Sequence, residues 1–355
     1  MGINRAHLNR LFLRSPLAKK RWVHFLLFQK KKKNAPVIIK RFLGDVPPER
    51  KKELLRKMRH AMVYYRWNFE EFFLFGYEEL SKEEIASFAP EFDKNIFCAK
   101  VNDEKDSFVY YYKWNTYSRF KKYYKRDVVQ VKSLEDLDTK SFSDFVERHR
   151  RFMLKPESKS CGRGIRIIDT ASADDARRQI KTAYCNGETR FVLEELVVQC
   201  AEMARLHPES VNTVRFPTFR LDDRVHIFPP YLRMGQGPSF VDNAGSGGVF
   251  GIVDLETGRV YAACDELGNK YEVHPDTKEK VIGFVIPRWE EAVALAKELI
   301  TVVPTVRWVG WDLALADDGW VLIEGNERAQ FVFQIPDRKG CRREVDCFVK
   351  KYRIQ

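Results

Sequence analysis

The chain has 355 residues, 44% hydrophobic and 32% charged, a balance that excludes a disordered or collagen-like polymer and leaves room for two domains. Its net charge of +12 is concentrated at one end: residues 1–60 hold 18 Lys/Arg against Asp45, Glu49 and Glu53, so the other 295 residues sum to −3. Seven scattered cysteines with no CxxC pair speak against a disulfide scaffold or zinc ribbon, and no apolar run approaches the roughly 18–20 residues of a membrane span. With no signal-peptide pattern after the basic start, a cytoplasmic protein is the expectation.

In chain order, the first segment is basic and interleaved with apolar residues: Leu11, Phe12 and Leu13, then Trp22, Val23, Phe25, Leu26, Leu27 and Phe28, then the run Lys30 to Lys33. Three readings stay open for it: a helix on an anionic membrane surface, a solvated helix docked on the body, and a nucleic-acid arm, the last least expected. Residues 49–87 read as helical, with an i,i+4 pair Glu53–Lys57 and a capping box from Ser81 to Glu84. Residues 107–125 read as an aromatic-faced helix, and helix starts follow at 133–136 and 141–149. From 151 the texture changes to short apolar runs at 151–155, 165–169, 191–198, 213–220, 225–233, 248–254, 309–316 and 320–324, with helices at 172–185 and 288–301. This mixture predicts an α+β fold. The expected organisation is a basic helical extension (1–60), a helical region (61–150), an α+β domain (151–335) and a tail (336–355).

Two motifs carry chemistry. The first runs Lys155-Pro156-Glu157-Ser158-Lys159-Ser160-Cys161-Gly162-Arg163-Gly164 between two strands. Its glycines and serines let backbone N–H groups approach an anion, and Lys155 and Arg163 add charge, which suits a polyphosphate. It lacks the Walker pattern, and a plain polar hairpin is the alternative. The second runs from Gly310 to Asn326, two apolar stretches around Asp317-Asp318-Gly319, a strong hairpin signal. A three-residue loop pairs Leu313 with Ile323, Asp312 with Glu324 and Gly310 with Asn326; a two-residue loop puts Asp312 and Glu324 on opposite faces. Opposed like charges destabilise a strand pair unless compensated, and magnesium takes such carboxylate and amide oxygens together with phosphates. Pairing with Lys or Arg at a solvated strand end is the alternative.

In their order and separation, these motifs resemble the ATP-grasp superfamily, which includes D-alanine–D-alanine ligase, glutathione synthetase and the α-L-glutamate ligases. The nearer likeness is to its sugar-transfer-associated branch, through residues 210–215, 274–277 and 283–289, Gly310-Trp311-Asp312 and residues 322–326. The likeness covers about 100–335. It implies an ATP-grasp fold, two α+β subdomains clasping ATP, with the nucleotide part starting near 100. It implies that Lys155 and Lys105 hold nucleotide phosphates, with Lys100 and Lys113 near enough to Lys105 to compete for its role. Ser158, Ser160, Gly162 and Gly164 lie in the phosphate-covering flap. Glu194, Glu195, Leu196 and Val197 form the adenine-reading hinge, and Asn212 falls near the ribose contact. Arg215 and Arg233 stabilise transferred phosphoryl and intermediate, and Asp312, Glu324 and Asn326 bind magnesium. Two departures stand out: Arg163 between the flap glycines, and a hinge connection lengthened over 198–209.

The implied function is an ATP- and magnesium-dependent carboxylate–amine ligase working through an acyl phosphate, in cell-surface polysaccharide or peptide-like metabolite synthesis. Its implied partners are small carboxylate and amine substrates, and residues 1–34 offer an anionic membrane surface a contact, a peripheral place at the inner membrane. The alternatives are a kinase of the same fold acting on a hydroxyl, and a non-catalytic module docked at a membrane.

Overall fold

The computed structural model describes residues 5–157, 159, 162–185, 190–238 and 247–351. Ser158 and Ser160 therefore lie outside the described residues. A four-stranded antiparallel sheet comprises β1 (Val128–Val131), β2 (Arg151–Pro156), β3 (Arg166–Asp169) and β4 (Phe191–Glu195), in the order β1-β4-β2-β3. Helices Lys140–Arg148 and Ala173–Cys185 bring Phe142, Phe145 and Ile180 into one core with Phe152, Leu154, Phe191 and Leu193 of the sheet.

A seven-stranded antiparallel sheet follows: β5 (Thr213–Leu221), β6 (Arg224–Ile227), β7 (Tyr231–Met234), β8 (Val249–Val253), β9 (Val260–Asp265), β10 (Trp308–Ala316) and β11 (Gly319–Asn326). The path is β11-β10-β5-β7-β8-β9, with β6 pairing the outer half of β5. Both faces are covered. One packs with helices Lys113–Tyr124 and Trp289–Leu299 through Phe120, Trp311 and Trp289. The other meets helix Glu91–Val101 and the 331–333 turn through Phe97, Phe219, Trp308 and Phe331. The mixed α+β character and its antiparallel sheets agree with the expectation.

The structure departs from the sequence reading at several elements. The run at 225–233 is two strands, because Pro229-Pro230 removes two ladder donors between β6 and β7. β1 and β9 were not anticipated; β9 contains Ala262-Ala263-Cys264, a weak strand signal. Residues 49–87 form separate helices, including Pro48–His60, Phe69–Leu74 and Lys82–Ser87, the last with the predicted Ser81–Glu84 capping box. The long connection at 198–209 holds the short helix Ala201–Ala204.

The β10–β11 turn is the most consequential departure. Ala316 pairs Gly319, so the loop has two residues, Asp317 and Asp318, with Gly319 at φ +125°. The register then shifts: Leu313 pairs Leu322, yet Asp312 pairs Glu324. Ile323 is the extra residue of a β-bulge, and that one-residue insertion cancels the one-residue error in the loop. Asp312 and Glu324 face each other after all, and so do Gly310 and Asn326.

The basic N-terminal region is helical, with helices Arg5–Arg14, Arg21–Lys31 and Ala35–Leu43. It is anchored by apolar contacts of Leu13 and Ala18 with Ile96 and Ala99. Arg14 Nε donates to Ala99 O at 2.6 Å and Arg10 donates to Asn102 O. Phe28 and Ile39 join an aromatic core with Trp67, Phe72 and Phe88. No helix among the described residues is long and apolar enough to cross a membrane.

Candidate active site

The larger sheet builds the first half of the site by strand pairing alone. Asp312 on β10 lies directly opposite Arg215 on β5, and Arg233 on β7 lies opposite Thr213, two residues along β5. All three side chains therefore share one face of the sheet. Asp312 is 2% exposed and accepts from Arg215 Nε, from Arg215 Nη2 at 2.5 Å and from Arg233 Nη1 at 2.7 Å. Burial alone would raise the Asp312 pKa; the two guanidinium groups outweigh it and hold the carboxyl below its ordinary value. The same carboxylate drives Arg215 well above the usual arginine range against the opposing effect of burial. Gly310 makes the approach possible: a Cβ there would lie 2.9 Å from Arg215 Cδ and 2.7 Å from Ala329 Cβ. On β11, Glu324 Oε1 stands 3.8 Å from Arg215 Nη2 and accepts from Asn326 Nδ2 at 2.9 Å.

The smaller sheet builds the second half. Lys155 on β2 donates from Nζ to Glu194 Oε2 on β4 at 2.8 Å. Arg126 reaches the same oxygen at 2.8 Å. All three side chains are buried or nearly so. Burial favours the neutral Glu194, but Lys155 and Arg126 prevail and hold its carboxyl at about 2. Arg126 also donates to Leu322 O at 2.7 Å and to Ile323 O at 3.5 Å, the carbonyls of the bulge. One side chain thus ties the Lys155–Glu194 pair to the strand carrying Glu324 and Asn326.

Lys113 joins the two halves electrostatically. Its Nζ donates to Pro156 O at 3.0 Å and Lys159 O at 2.5 Å, at the mouth of the glycine loop. Burial lowers its pKa, while Glu324, Glu194 and Glu157 push the other way. Nearby, Glu157 Oε1 accepts from Gln130 at 3.0 Å, and its buried Oε2 has no partner among the described residues.

The structure thus gathers Lys155, Glu194, Arg215, Arg233, Asp312, Glu324 and Asn326. Gly162 and Gly164 sit at positive φ in the turn before β3, a conformation that favours glycine. Glu195 points elsewhere, accepting from Asp127 N at 2.9 Å with His149 4.0 Å away, and Leu196 and Val197 follow it half-buried. Asp127, His149 and Glu195 form a second cluster of metal-ligand type, in which Arg148 also pairs with Asp127 at 2.9 Å. Lys105 stands exposed on helix Glu104–Ser107, and Lys113 occupies the position beside the loop. Asn212 is fully buried; its amide nitrogen donates to Gln199 Oε1, Met203 O and His207 O, which ties the hinge connection together. Sequence reading missed Arg126, whose signal, an arginine two residues before a short strand, is not distinctive.

The chain belongs to the sugar-transfer associated ATP-grasp family, whose model matches residues 116–349. No curated protein matches it. Among solved structures it is similar to D-alanyl-alanine synthetase A from Vibrio cholerae, with 9% identity and a TM-score of 0.44 over 70% of this chain and 66% of that one. It is similar to D-alanine–D-alanine ligase from Bacillus anthracis complexed with ATP, with 12% identity and a TM-score of 0.42 over 66% and 62%. It is also similar to an L-amino acid ligase from Bacillus licheniformis, with 14% identity and a TM-score of 0.40 over 70% and 48%. The chain spans about half to two thirds of the length of these structures.

Proposed function

We propose that this protein is an ATP-dependent ligase that joins a carboxylate to an amine through an acyl phosphate. The observation that carries this reading is the cluster in which Asp312 pairs with Arg215 and Arg233, with Glu324 3.8 Å from Arg215 and Asn326 hydrogen-bonded to Glu324, tied by Arg126 to the Lys155–Glu194 pair. Two carboxylates and an amide oxygen on facing strands suit a divalent cation shared with phosphates. Asp312, Glu324 and Asn326 would hold magnesium, which neutralises phosphate charge when bound. Lys155 and Lys113 neutralise the nucleotide tail, and the turn holding Gly162 and Gly164 covers it. The substrate carboxylate oxygen takes the γ-phosphoryl group and ADP leaves. The amine then attacks the carbonyl carbon, loses a proton, and phosphate departs as the C–N bond forms. Arg215 and Arg233 stabilise first the transferring phosphoryl group and then the tetrahedral oxyanion, a role that rests on preorganised charge. The family's association with sugar transfer supports cell-surface polysaccharide or peptide-like metabolite synthesis as the setting. Residues 1–34 then face an anionic membrane on the cytoplasmic side.

The test is ATP consumption with magnesium, hydroxylamine and pooled carboxylates, including amino acids and uronic-acid sugars. Hydroxamate forming in step with ADP is the expected result. ADP with a stable phosphorylated product and no hydroxamate would replace the ligase by a kinase. A second expectation concerns Lys113. Lys113→Met raises the KM for ATP about tenfold or more, because a charge-assisted phosphate contact is lost. Lys105→Met leaves that KM unchanged. Steady-state kinetics of the two variants checks both.

A further inference from the structure

The basic N-terminal helices divide their residues in an unusual way. Residues 5–43 contain twelve Lys/Arg and no Asp or Glu. Helix Arg21–Lys31 buries Val23, His24 and Phe28 against the body and leaves Trp22 (56%), Phe25 (41%) and Leu26 (57%) exposed. These occupy positions i, i+3 and i+4, one stripe of the helix, and Leu17 is exposed just before it. The core of the protein does not use this stripe. Lys30 and Lys33 continue it along the same face.

Beside the stripe lies an open cleft of about 550 Å³ between this helix and helix Pro48–His60. Phe28, Lys32, Lys52, Arg56 and Arg59 line it together with Glu49, Glu53 and Leu55. Glu53 is already paired with Arg50 and Lys57. Among the described residues, Lys32, Lys52, Arg56 and Arg59 are in no ion pair, nor are Lys30, Lys31 and Lys33. Four cations held round a cleft next to an exposed aromatic and aliphatic stripe are complementary to a surface that is anionic outside and apolar beneath.

We infer that this face docks on an anionic phospholipid bilayer, with Trp22, Phe25 and Leu26 entering the headgroup layer and Lys32, Lys52, Arg56 and Arg59 receiving a lipid phosphate. The inference rests on the reading of residues 1–34 as a membrane-facing segment and assigns the residues that do the work. Tryptophan favours the membrane interface, and basic residues beside an apolar face are the mark of helices that lie in it. A nucleic acid would use the cations but not the aliphatic stripe. A second copy of the chain would bring the same positive charge and be repelled.

The experiment is co-sedimentation of the full chain with vesicles of phosphatidylcholine containing phosphatidylglycerol, or of phosphatidylcholine alone. Binding is expected only to the anionic vesicles, and is expected to fall steeply between about 50 and 500 mM NaCl as charge is screened. Trp22→Ser/Leu26→Ser and Arg56→Glu/Arg59→Glu each weaken binding about tenfold or more. All four residues are exposed, so thermal melts and ATP turnover stay those of the wild type. If both double variants bind as the wild type does, the assigned face is wrong while the membrane-facing reading stands. If the full chain ignores anionic vesicles at low salt, both fall. Equal affinity for duplex DNA, unchanged by Trp22→Ser/Leu26→Ser, would overturn the inference in favour of a general polyanion site.

Discussion

Asp312→Ala is expected to abolish ATP turnover and to destabilise the fold at the same time. In the wild type this carboxylate is buried and answers two guanidinium groups, Arg215 and Arg233. Removing it takes that carboxylate away from both cations, and Arg215 is buried. Breaking a buried pair from one side costs about 3–5 kcal/mol. Turnover falls about a thousandfold or more, because a proposed metal ligand is lost and the arginines lose their orientation. Glu324→Gln separates the two effects. Its side chain is 44% exposed and lies 3.8 Å from Arg215, so stability changes little while turnover falls comparably. Denaturant unfolding beside ADP-release kinetics measures both. If Glu324→Gln turned over ATP normally, it would remove this face of the sheet from the reaction.

The second large effect belongs to Arg126→Met. Arg126 is the cation that serves both halves of the site, pairing with Glu194 and gripping the carbonyls of the β11 bulge. Methionine fills much of the same volume without charge or donors. Stability at neutral pH drops by about 3–5 kcal/mol, since among the described residues Glu194 then pairs only with Lys155. Turnover drops about a hundredfold or more, because Glu324 and Asn326 follow the bulge directly and small misplacements are costly. The pH dependence has a definite sign. The Glu194 carboxyl sits at about 2 in the folded chain against 4.5 ordinarily. It therefore contributes stability that is fully present above about 4.5 and is lost as pH falls towards 2, on the order of 3 kcal/mol in all. Without Arg126 the folded pKa rises towards the ordinary value, the contribution shrinks, and acid unfolding begins at higher pH. Circular dichroism across pH 2–7 for both proteins reads this. An unchanged acid midpoint with unchanged turnover would reduce Arg126 to an ordinary packing residue.

Much of the site was legible because its parts are local in sequence. Asp317-Asp318-Gly319 between apolar runs announced the hairpin, and the residues of the facing pair Asp312–Glu324 stand twelve positions apart. The pairing matches the expectation through two features that compensate each other. The loop has two residues, which by itself would have turned Glu324 to the other face, and the bulge at Ile323 turned it back. Loops of two and three residues both accept Asp-Asp-Gly, so local chemistry does not choose between them. The choice is made where the strands pack: Leu313, Leu315 and Leu322 must all reach one core.

By itself the sequence determined the α+β class, the order of the motifs, the Lys155 strand and glycine loop, and a basic first segment set against a near-neutral body. These follow from composition, alternation and turn residues within short windows. Only the tertiary structure decided that Arg215 and Arg233 converge on Asp312, since their strands are distant in the chain and meet by sheet pairing. It alone placed Lys113 rather than Lys105 beside the loop, turned Asn212 into the core, and set Trp22, Phe25 and Leu26 outward while Val23, His24 and Phe28 turned inward. The physical reason is common to all of these. A side chain's partners depend on which elements pack together, and nearly identical local patterns, such as three lysines within a few turns of one another or an apolar residue on either face of a basic helix, are told apart only by what lies across from them.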